Sequence, residues 1–282
     1  MKSVRMNPAR ARRVAGAAAL RALEELQPTR LPIDPCALAD LWSIPVVTRT
    51  FTDPDILGCL EYLGSSSFRI GVSDALQSVE TRNLTIGHEL GHCCLEGHVE
   101  RLFHAGQVQH LSRRHGNDDP EIWELQADLF AGELLVPTAL CRPLVQAWDV
   151  TDAGLGTIKR LAAACQTTLS ATASRYPRLT RLQAATILSR NSRIQEGHIS
   201  SGLRERLGWP SGRALRGQFL PDYTPSPTQT ACVPALAGTE WLTIRKVEWQ
   251  SWFGVSCGRA QELCNWRGPH GQVLTVLTEI LA

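Results

Sequence analysis

The chain carries a His-Glu-x-x-His motif in which His88 and His92 enclose Glu89. In a helix, with about 3.6 residues per turn, the two histidines lie one turn apart on the same face. Two neutral imidazoles and one further ligand bind Zn²⁺ tetrahedrally and leave a position for water, whose pKa falls to about 7. The motif therefore predicts a zinc hydrolase in which Glu89 is the general base.

One candidate for the third ligand is His98, which follows His92 at the spacing found in metzincins. Metzincins also need a glycine where this chain has Leu95, and a methionine turn after the motif. The only methionines are Met1 and Met6, which precede the motif. We therefore expect His98 to be a surface or loop histidine.

The other candidate is a glutamate on a second helix, which the acidic and proline-containing segment 118–121 is expected to begin. On this helix Glu124 and Asp128 lie one turn apart. We expect Glu124 to bind the metal and Asp128 to accept the second N–H of a ligating histidine, which fixes its tautomer. Ala127 and Ala131 keep the same face small, so that two helices can approach. The alternative is that both carboxylates are solvated surface groups.

Two segments resemble motifs of the ImmA/IrrE metallo-endopeptidases of bacteria and phages. Residues 82–92 resemble that family's R-x-F-T-x-A-H-E-L-G-H, and residues 124–137 resemble its E-x-E-A-N-x-F-A-A-E-L-L-M-P. Leu84, Gly87 and Asp128 replace the family's Phe, Ala and Asn. None of these departures removes a ligand.

The resemblance covers residues 31–180 and implies an α+β fold of the thermolysin-like, or gluzincin, type. It implies one Zn²⁺ per chain on His88, His92 and Glu124. It also implies that the turn at Cys59 lies near the metal, where a thiolate could fill the open zinc position and keep the enzyme latent. A buried cysteine without such a role is the alternative.

The resemblance assigns two further roles. The family places an edge strand beside the metal, to which an extended substrate adds as a β-strand, and residues 68–72 occupy that place in the sequence. Tyr176 follows Ser-Ala-Thr as in some IrrE-like sequences, and it is a candidate donor to the oxyanion of the reaction. A packed core tyrosine is the alternative.

Two other segments carry residue types that could bind ligands. Residues 97–119 contain four histidines, but their spacing fits no ligand pattern, and we interpret the segment as a mobile flap. Residues 157–176 have the spacing of a helix-turn-helix. If that pair of helices binds DNA, the candidate base-contacting residues are Ser170, Thr172, Arg175 and Arg178.

Composition describes an ordinary globular chain. With 282 residues, 43% of them hydrophobic, the chain can bury the cores of two domains. The basic, alanine-rich start mimics a signal peptide, but Arg21 interrupts the apolar run, and no stretch reaches the length of a membrane span. Nine cysteines, an odd number, fit a reducing compartment. We therefore expect a cytoplasmic protein that does not contact a membrane.

We predict a zinc metallopeptidase domain at residues 1–150, a helix-turn-helix-like segment at 151–190 and a GAF-like α+β sensor domain at 191–282. By position, the last domain matches that of IrrE and of the CapP peptidases that accompany anti-phage operons. Its candidate ligands are a small-molecule activator or single-stranded DNA, whose bases could stack on tryptophans. A tryptophan-rich core is the alternative. The tryptophans concerned are Trp209, Trp241, Trp249, Trp252 and Trp266.

The sequence thus predicts a zinc-dependent endopeptidase that cuts a partner helix-turn-helix repressor and so switches on a stress or anti-phage response. Two alternatives remain open at this point. One is a DNA-binding transcriptional regulator in which the peptidase fold is not catalytic, and the other is a toxin-like protease with broad targets.

Overall fold

The structure is a computed structural model that describes residues 8–113, 122–190, 193–208, 218, 240–243, 256–265 and 272–281. Helices and sheets are mixed along the chain, which confirms the predicted α+β class. The chain divides into two compact units. The first contains Met1–Leu140 with Ala162–Thr168, and the second contains Cys141–Leu161 with Leu169–Ala282.

The elements of the first unit are α1 (Pro8–Leu26), α2 (Pro35–Leu41), β1 (Val46–Arg49), β2 (Ile56–Gly64), β3 (Ser67–Ser73), α3 (Val79–Cys94), α4 (His98–Leu102), β4 (Gln109–Arg113) and α5 (Ile122–Leu135). The strands form one sheet with the order β1-β3-β2-β4, with β1 parallel to β3 and the other pairs antiparallel. The expectation that residues 68–72 form an edge strand is therefore wrong, because β3 lies between β1 and β2.

The helix α3 carries the His-Glu-x-x-His motif, and its start is well capped. The Ser78 side chain accepts a hydrogen bond from the Thr81 backbone N–H, which satisfies one free donor of the first turn. The Ser78 hydroxyl also donates to Glu80, whose negative charge at the helix N-terminus is favourable. The helix ends at Leu95, where the backbone becomes extended.

The helices α3 and α5 pack closely because small residues face each other. A Cβ placed on Gly87 would lie 3.3 Å from the Ala131 Cβ, and one on Gly91 would lie 3.2 Å from the Ala127 Cα. These contacts are the close approach that the two alanines predict. The acidic and proline-containing segment expected to begin α5 lies outside the described residues.

The core of the first unit is completed by α1, which packs against α5. Its buried face is a stripe of alanines at helical spacing, namely Ala15, Ala18, Ala19 and Ala22. Leu90, Phe130 and Leu134, all fully buried, belong to the same apolar cluster. This core holds α3 and α5 in fixed positions, and the candidate site lies on these two helices.

Gly58 of β2 allows the sheet to approach α3, and we expect Gly58→Ala to destabilise the protein by about 1–3 kcal/mol. An added Cβ would lie 2.5 Å from the Thr85 Cγ2 and 2.8 Å from the Gly71 carbonyl oxygen, so the strand must shift. The measurement is the free energy of unfolding in urea. The control is Gly16→Ala in α1, where an added Cβ meets nothing within 4 Å. Equal stability of the two variants would contradict the close packing.

The remaining elements are α6 (Thr138–Asp152), α7 (Leu155–Cys165), α8 (Leu169–Leu179), β5 (Ala185–Arg190), β6 (Arg193–Ile199), α9 (Ser201–Arg206), β7 (Glu240–Thr243), β8 (Ser256–Asn265) and β9 (Gln272–Leu281). The second unit contains an antiparallel sheet with the order β6-β5-β9-β8-β7. The predicted helix-turn-helix appears as two helices, α7 and α8, separated by three residues with Gln166 at a φ of 48°. The end of α7 and these three residues belong to the first unit.

Two of the four candidate base-contacting residues of α8 are not available on its surface. Thr172 is fully buried and Arg175 is 5% exposed, and α8 packs on β5 and β6. The predictions about the C-terminal tryptophans lie outside the described residues and side chains. Across the part of the chain that the structure describes, every helix is too short or too polar to span a bilayer.

Candidate metal centre

The motif histidines of α3 converge with a carboxylate of α5. His88 and His92 direct their Nε2 atoms at each other, 3.0 Å apart. The Glu124 carboxylate lies beside both, with Oε2 3.2 Å from the His88 Nε2 and Oε1 3.7 Å from the His92 Nε2. The structure therefore brings together the three residues expected to bind the metal, although they lie on two different helices.

These donor atoms fit a single metal ion. Zn²⁺ binds nitrogen and oxygen ligands at about 2.0–2.2 Å, so donors around one tetrahedral ion lie about 3.3 Å apart. The observed separations of 3.0 to 3.7 Å are close to that value. Burial lowers the pKa of His92 to about 3, so this imidazole is neutral, as a metal ligand must be.

Asp128 fixes the orientation of the His88 ring. The His88 Nδ1 lies 2.8 Å from the Asp128 Oδ1, one helical turn beyond Glu124 on α5. The Nδ1–H donates to this carboxylate, and Nε2 is left with its lone pair directed at the donor cluster. A carboxylate in this position raises the basicity of the ligand and holds its tautomer.

We expect Asp128→Ala to lower the affinity of the protein for Zn²⁺ by about 10–100-fold, because the His88 ring loses its acceptor. The control is Asp128→Asn, whose side-chain oxygen still accepts the Nδ1–H and whose affinity should stay near that of the wild type. Competition with a coloured chelator measures both values. If the alanine variant binds Zn²⁺ as tightly as the asparagine variant, the hydrogen bond has no part in holding the ligand.

His98 orients the second motif histidine, and its prediction as a surface or loop residue is wrong. It is fully buried in α4, and its Nδ1 lies 2.9 Å from the Nδ1 of His92. Its Nε2 lies 3.3 Å from the Gln126 Oε1, and its ring packs edge-on against Trp123. His92 therefore donates to His98, and His98 donates to Gln126. The metzincin-like spacing of His92 and His98 therefore indicates that the two side chains lie close together. His98 is nevertheless not among the grouped donor atoms.

Glu89 is fully buried beside the donor cluster. The Ser112 hydroxyl donates to its Oε1 at 2.5 Å, and its Oε2 has no hydrogen-bond partner among the described residues. Burial raises the pKa of this carboxyl to about 7, which is close to the ideal value for a group that takes and returns protons. The arrangement suits a general base in which one oxygen is held by Ser112 and the other has no partner among the described residues.

The segment interpreted as a mobile flap contributes an ordered strand to the site. His110 lies on β4 with its Nε2 3.4 Å from the Glu124 Oε1, and its ring packs edge-on against that of His92 at a centroid distance of 4.8 Å. The ligand atoms of His88, His92, His110 and Glu124 all lie within 4.8 Å of one another. The sequence signal was the alternation of His110 and Ser112, which places both side chains on one face of a strand. His104 is exposed, and His115 lies outside the described residues.

Two other predicted site residues, Cys59 and Tyr176, are fully buried. Cys59 is fully buried on β2 opposite Gly71, and burial raises the pKa of its thiol. In the second unit, the Tyr176 hydroxyl donates to Asp149 at 2.9 Å and accepts the Gly154 N–H at 3.0 Å. Burial raises the pKa of this phenol. Metal gating by Cys59 and oxyanion binding by Tyr176 stay predictions.

Comparison with family models finds a match for the segment that carries this site. Residues 55–175 match the family model of the IrrE N-terminal-like domain, Peptidase M78. The matched segment contains the motif helix α3, the strand β4 and the helix α5. The histidine and glutamate cluster that could bind a metal therefore lies within the segment that is similar to this peptidase family.

A solved structure extends the similarity over nearly the whole chain. It is described as a Mycobacterium tuberculosis transcriptional regulator, and it matches with a TM-score of 0.54 and 13% sequence identity. The match covers 97% of this chain and 82% of the other, and at this identity it shows a shared fold. No curated protein sequence matches the chain.

Proposed function

We propose that this protein is a zinc-dependent endopeptidase of the gluzincin type that cuts a partner helix-turn-helix repressor. The observation that carries the proposal is the convergence of His88, His92 and Glu124, with a buried glutamate beside them. This is the ligand set of two histidines and one glutamate that catalytic zinc sites use in metallopeptidases. The family match of residues 55–175 supports it.

The residues of the site have separate roles in peptide hydrolysis. His88, His92 and Glu124 would hold Zn²⁺, which when bound polarises the scissile carbonyl and lowers the pKa of water. Glu89 takes a proton from the attacking water at its Oε2, which has no hydrogen-bond partner within the described part of the chain, and passes it to the leaving amine. Ser112 holds the other carboxylate oxygen and so fixes the direction of Oε2.

We propose that the substrate binds along the strand β4. It is one of the two edge strands of the first sheet, with β1 at the other edge, and its one partner strand among the described residues is β2. An extended peptide that adds to β4 pairs through its backbone, while alternate side chains meet the surface of the protein. Because His110 and Ser112 lie on β4, a peptide bound in this way runs beside the donor cluster.

The second unit is the candidate regulator of the peptidase. We propose the domain division at residues 1–150, 151–190 and 191–282, with a GAF-like sensor last, and an activating ligand that is single-stranded DNA or a small molecule. Tyr176 is proposed as an oxyanion donor. We propose that cleavage switches on a response to stress or phage infection, as in CapP-type systems. Because the proposed substrate is a DNA-binding repressor, we expect the protein to act in the cytoplasm.

A second candidate function is DNA-binding regulation without proteolysis. It is favoured by the match over 97% of the chain to a structure described as a transcriptional regulator. The burial of Thr172 and Arg175 weighs against DNA reading by α8. Duplex binding at physiological salt distinguishes the two functions, because a regulator shows sequence preference there.

The proposed function is tested by incubating the zinc-loaded protein with helix-turn-helix repressors encoded near its gene, with and without single-stranded DNA. We expect one cut in one repressor, located by mass spectrometry of the new N-terminus. Uniform degradation of unrelated proteins would instead favour the toxin-like protease. Intact repressors together with sequence-specific duplex binding would favour the regulator.

A further inference from the structure

His110 enters the donor cluster from the sheet, whereas the other three members lie on helices. Its backbone pairs with Leu60 of β2 across the antiparallel β4 ladder, and Ser112 pairs with Gly58. Side chains two residues apart on a strand face the same way. Ser112 reaches Glu89, and His110 reaches Glu124, so this face of β4 is turned toward the site.

The His110 imidazole lies near enough to the other donor atoms to share a metal ion with them. Its Nε2 lies 3.4 Å from the Glu124 Oε1, close to the separation of about 3.3 Å between donors on one tetrahedral ion. The ligand atoms of all four residues lie within 4.8 Å of one another. The side chain is 17% exposed, so the imidazole is largely shielded from solvent, as are those of His88 and His92.

We propose that His110 is a fourth protein ligand of the metal and holds the resting site closed. Zinc sites with four protein ligands are structural, whereas catalytic sites keep one position open for water or substrate. The inference rests on the proposed metallopeptidase function. It implies that the resting enzyme is latent and that His110 must leave the metal before peptide hydrolysis begins.

The strand that carries His110 is also the edge to which we assign the substrate. A peptide that binds to β4 therefore contacts the same strand that carries His110, the residue that must leave the metal. The family resemblance implies that a thiolate at Cys59 could keep the enzyme latent, and we propose the His110 imidazole for that role instead. Cys59 is not part of the grouped donor atoms.

The test compares the full-length wild type with His110→Ala and His110→Phe, the second of which keeps the volume of the ring. His104→Ala is the control, because this histidine is exposed and its Nδ1 bonds to the Arg101 carbonyl oxygen. Zn²⁺ affinity is measured by chelator competition. The coordination of Co²⁺-substituted protein is followed by its visible absorption before and after addition of acetohydroxamate, which needs an open metal position.

We expect both His110 variants to bind Zn²⁺ at least about 10-fold more weakly than the wild type and His104→Ala. Acetohydroxamate should change the Co²⁺ spectrum of the His110 variants and leave the wild-type spectrum unchanged. Equal Zn²⁺ affinities, together with a wild-type spectrum that responds to acetohydroxamate, would overturn the fourth ligand and leave the peptidase proposal standing. Failure of the wild type to bind either metal would overturn both.

Discussion

Replacement of Glu89 by Gln is expected to lower the rate of repressor cleavage by about 10²–10⁴-fold while Zn²⁺ stays bound. The amide has nearly the size and shape of the carboxylate, and its oxygen still accepts the hydrogen bond from Ser112. It cannot take a proton from water. The metal ligands are other residues, so zinc content and folding should equal those of the wild type.

The matched control for Glu89→Gln is Ser112→Ala, which removes the partner of the Oε1 and keeps the carboxylate. We expect a smaller loss of rate, because the base remains but is less well directed. Rates come from the appearance of the new N-terminus, and zinc content comes from metal analysis. Loss of zinc from Glu89→Gln would make Glu89 a ligand, and an unchanged rate would mean that another group is the base.

Replacement of Glu124 by Ala is expected to weaken Zn²⁺ binding by more than about 100-fold and to stop cleavage, because the histidines of the cluster remain without a carboxylate. The variant loses the one carboxylate of the ligand set, which lies 3.2 Å from the His88 Nε2 and 3.4 Å from the His110 Nε2. Removal of a residue that only orients a ligand costs about 10–100-fold in metal affinity, and loss of a ligand itself should exceed that range.

The control for Glu124→Ala is Glu100→Ala, a change of the same kind at an exposed position of α4. It should bind one Zn²⁺ per chain with the affinity of the wild type. Both proteins are compared by chelator competition and by thermal unfolding with and without Zn²⁺. A Glu124→Ala protein that binds Zn²⁺ as tightly as the wild type would show that the assigned ligand set is wrong.

The parts of the site that lie within helices could be predicted from sequence because helical spacing is a local rule. His88 and His92 are one turn apart, as are Glu124 and Asp128, and each spacing fixes a shared face. The contact between α3 and α5 could also be predicted, because Ala127 and Ala131 mark a face small enough for close approach.

The contributions of α4 and β4 could not be predicted, because they depend on pairing between distant segments. His110 reaches the metal site only because β4 pairs with β2, about fifty residues earlier in the chain. No local pattern gives the order of strands in a sheet, and the edge strand that the family resemblance implies is wrong. The metzincin pattern cannot predict the burial of His98, because that burial depends on Trp123 and Gln126 of the distant helix α5.

The proposed mechanism is best tested by incubating helix-turn-helix repressors with four zinc-loaded proteins: the wild type, His110→Ala and the Glu89→Gln version of each. The mechanism predicts a single cut site, made by the wild type, by His110→Ala or by both, and absent from both Glu89→Gln reactions. Intact repressor in all four reactions, with one Zn²⁺ measured per chain, would contradict it. So would cleavage that persists when Glu89 is replaced.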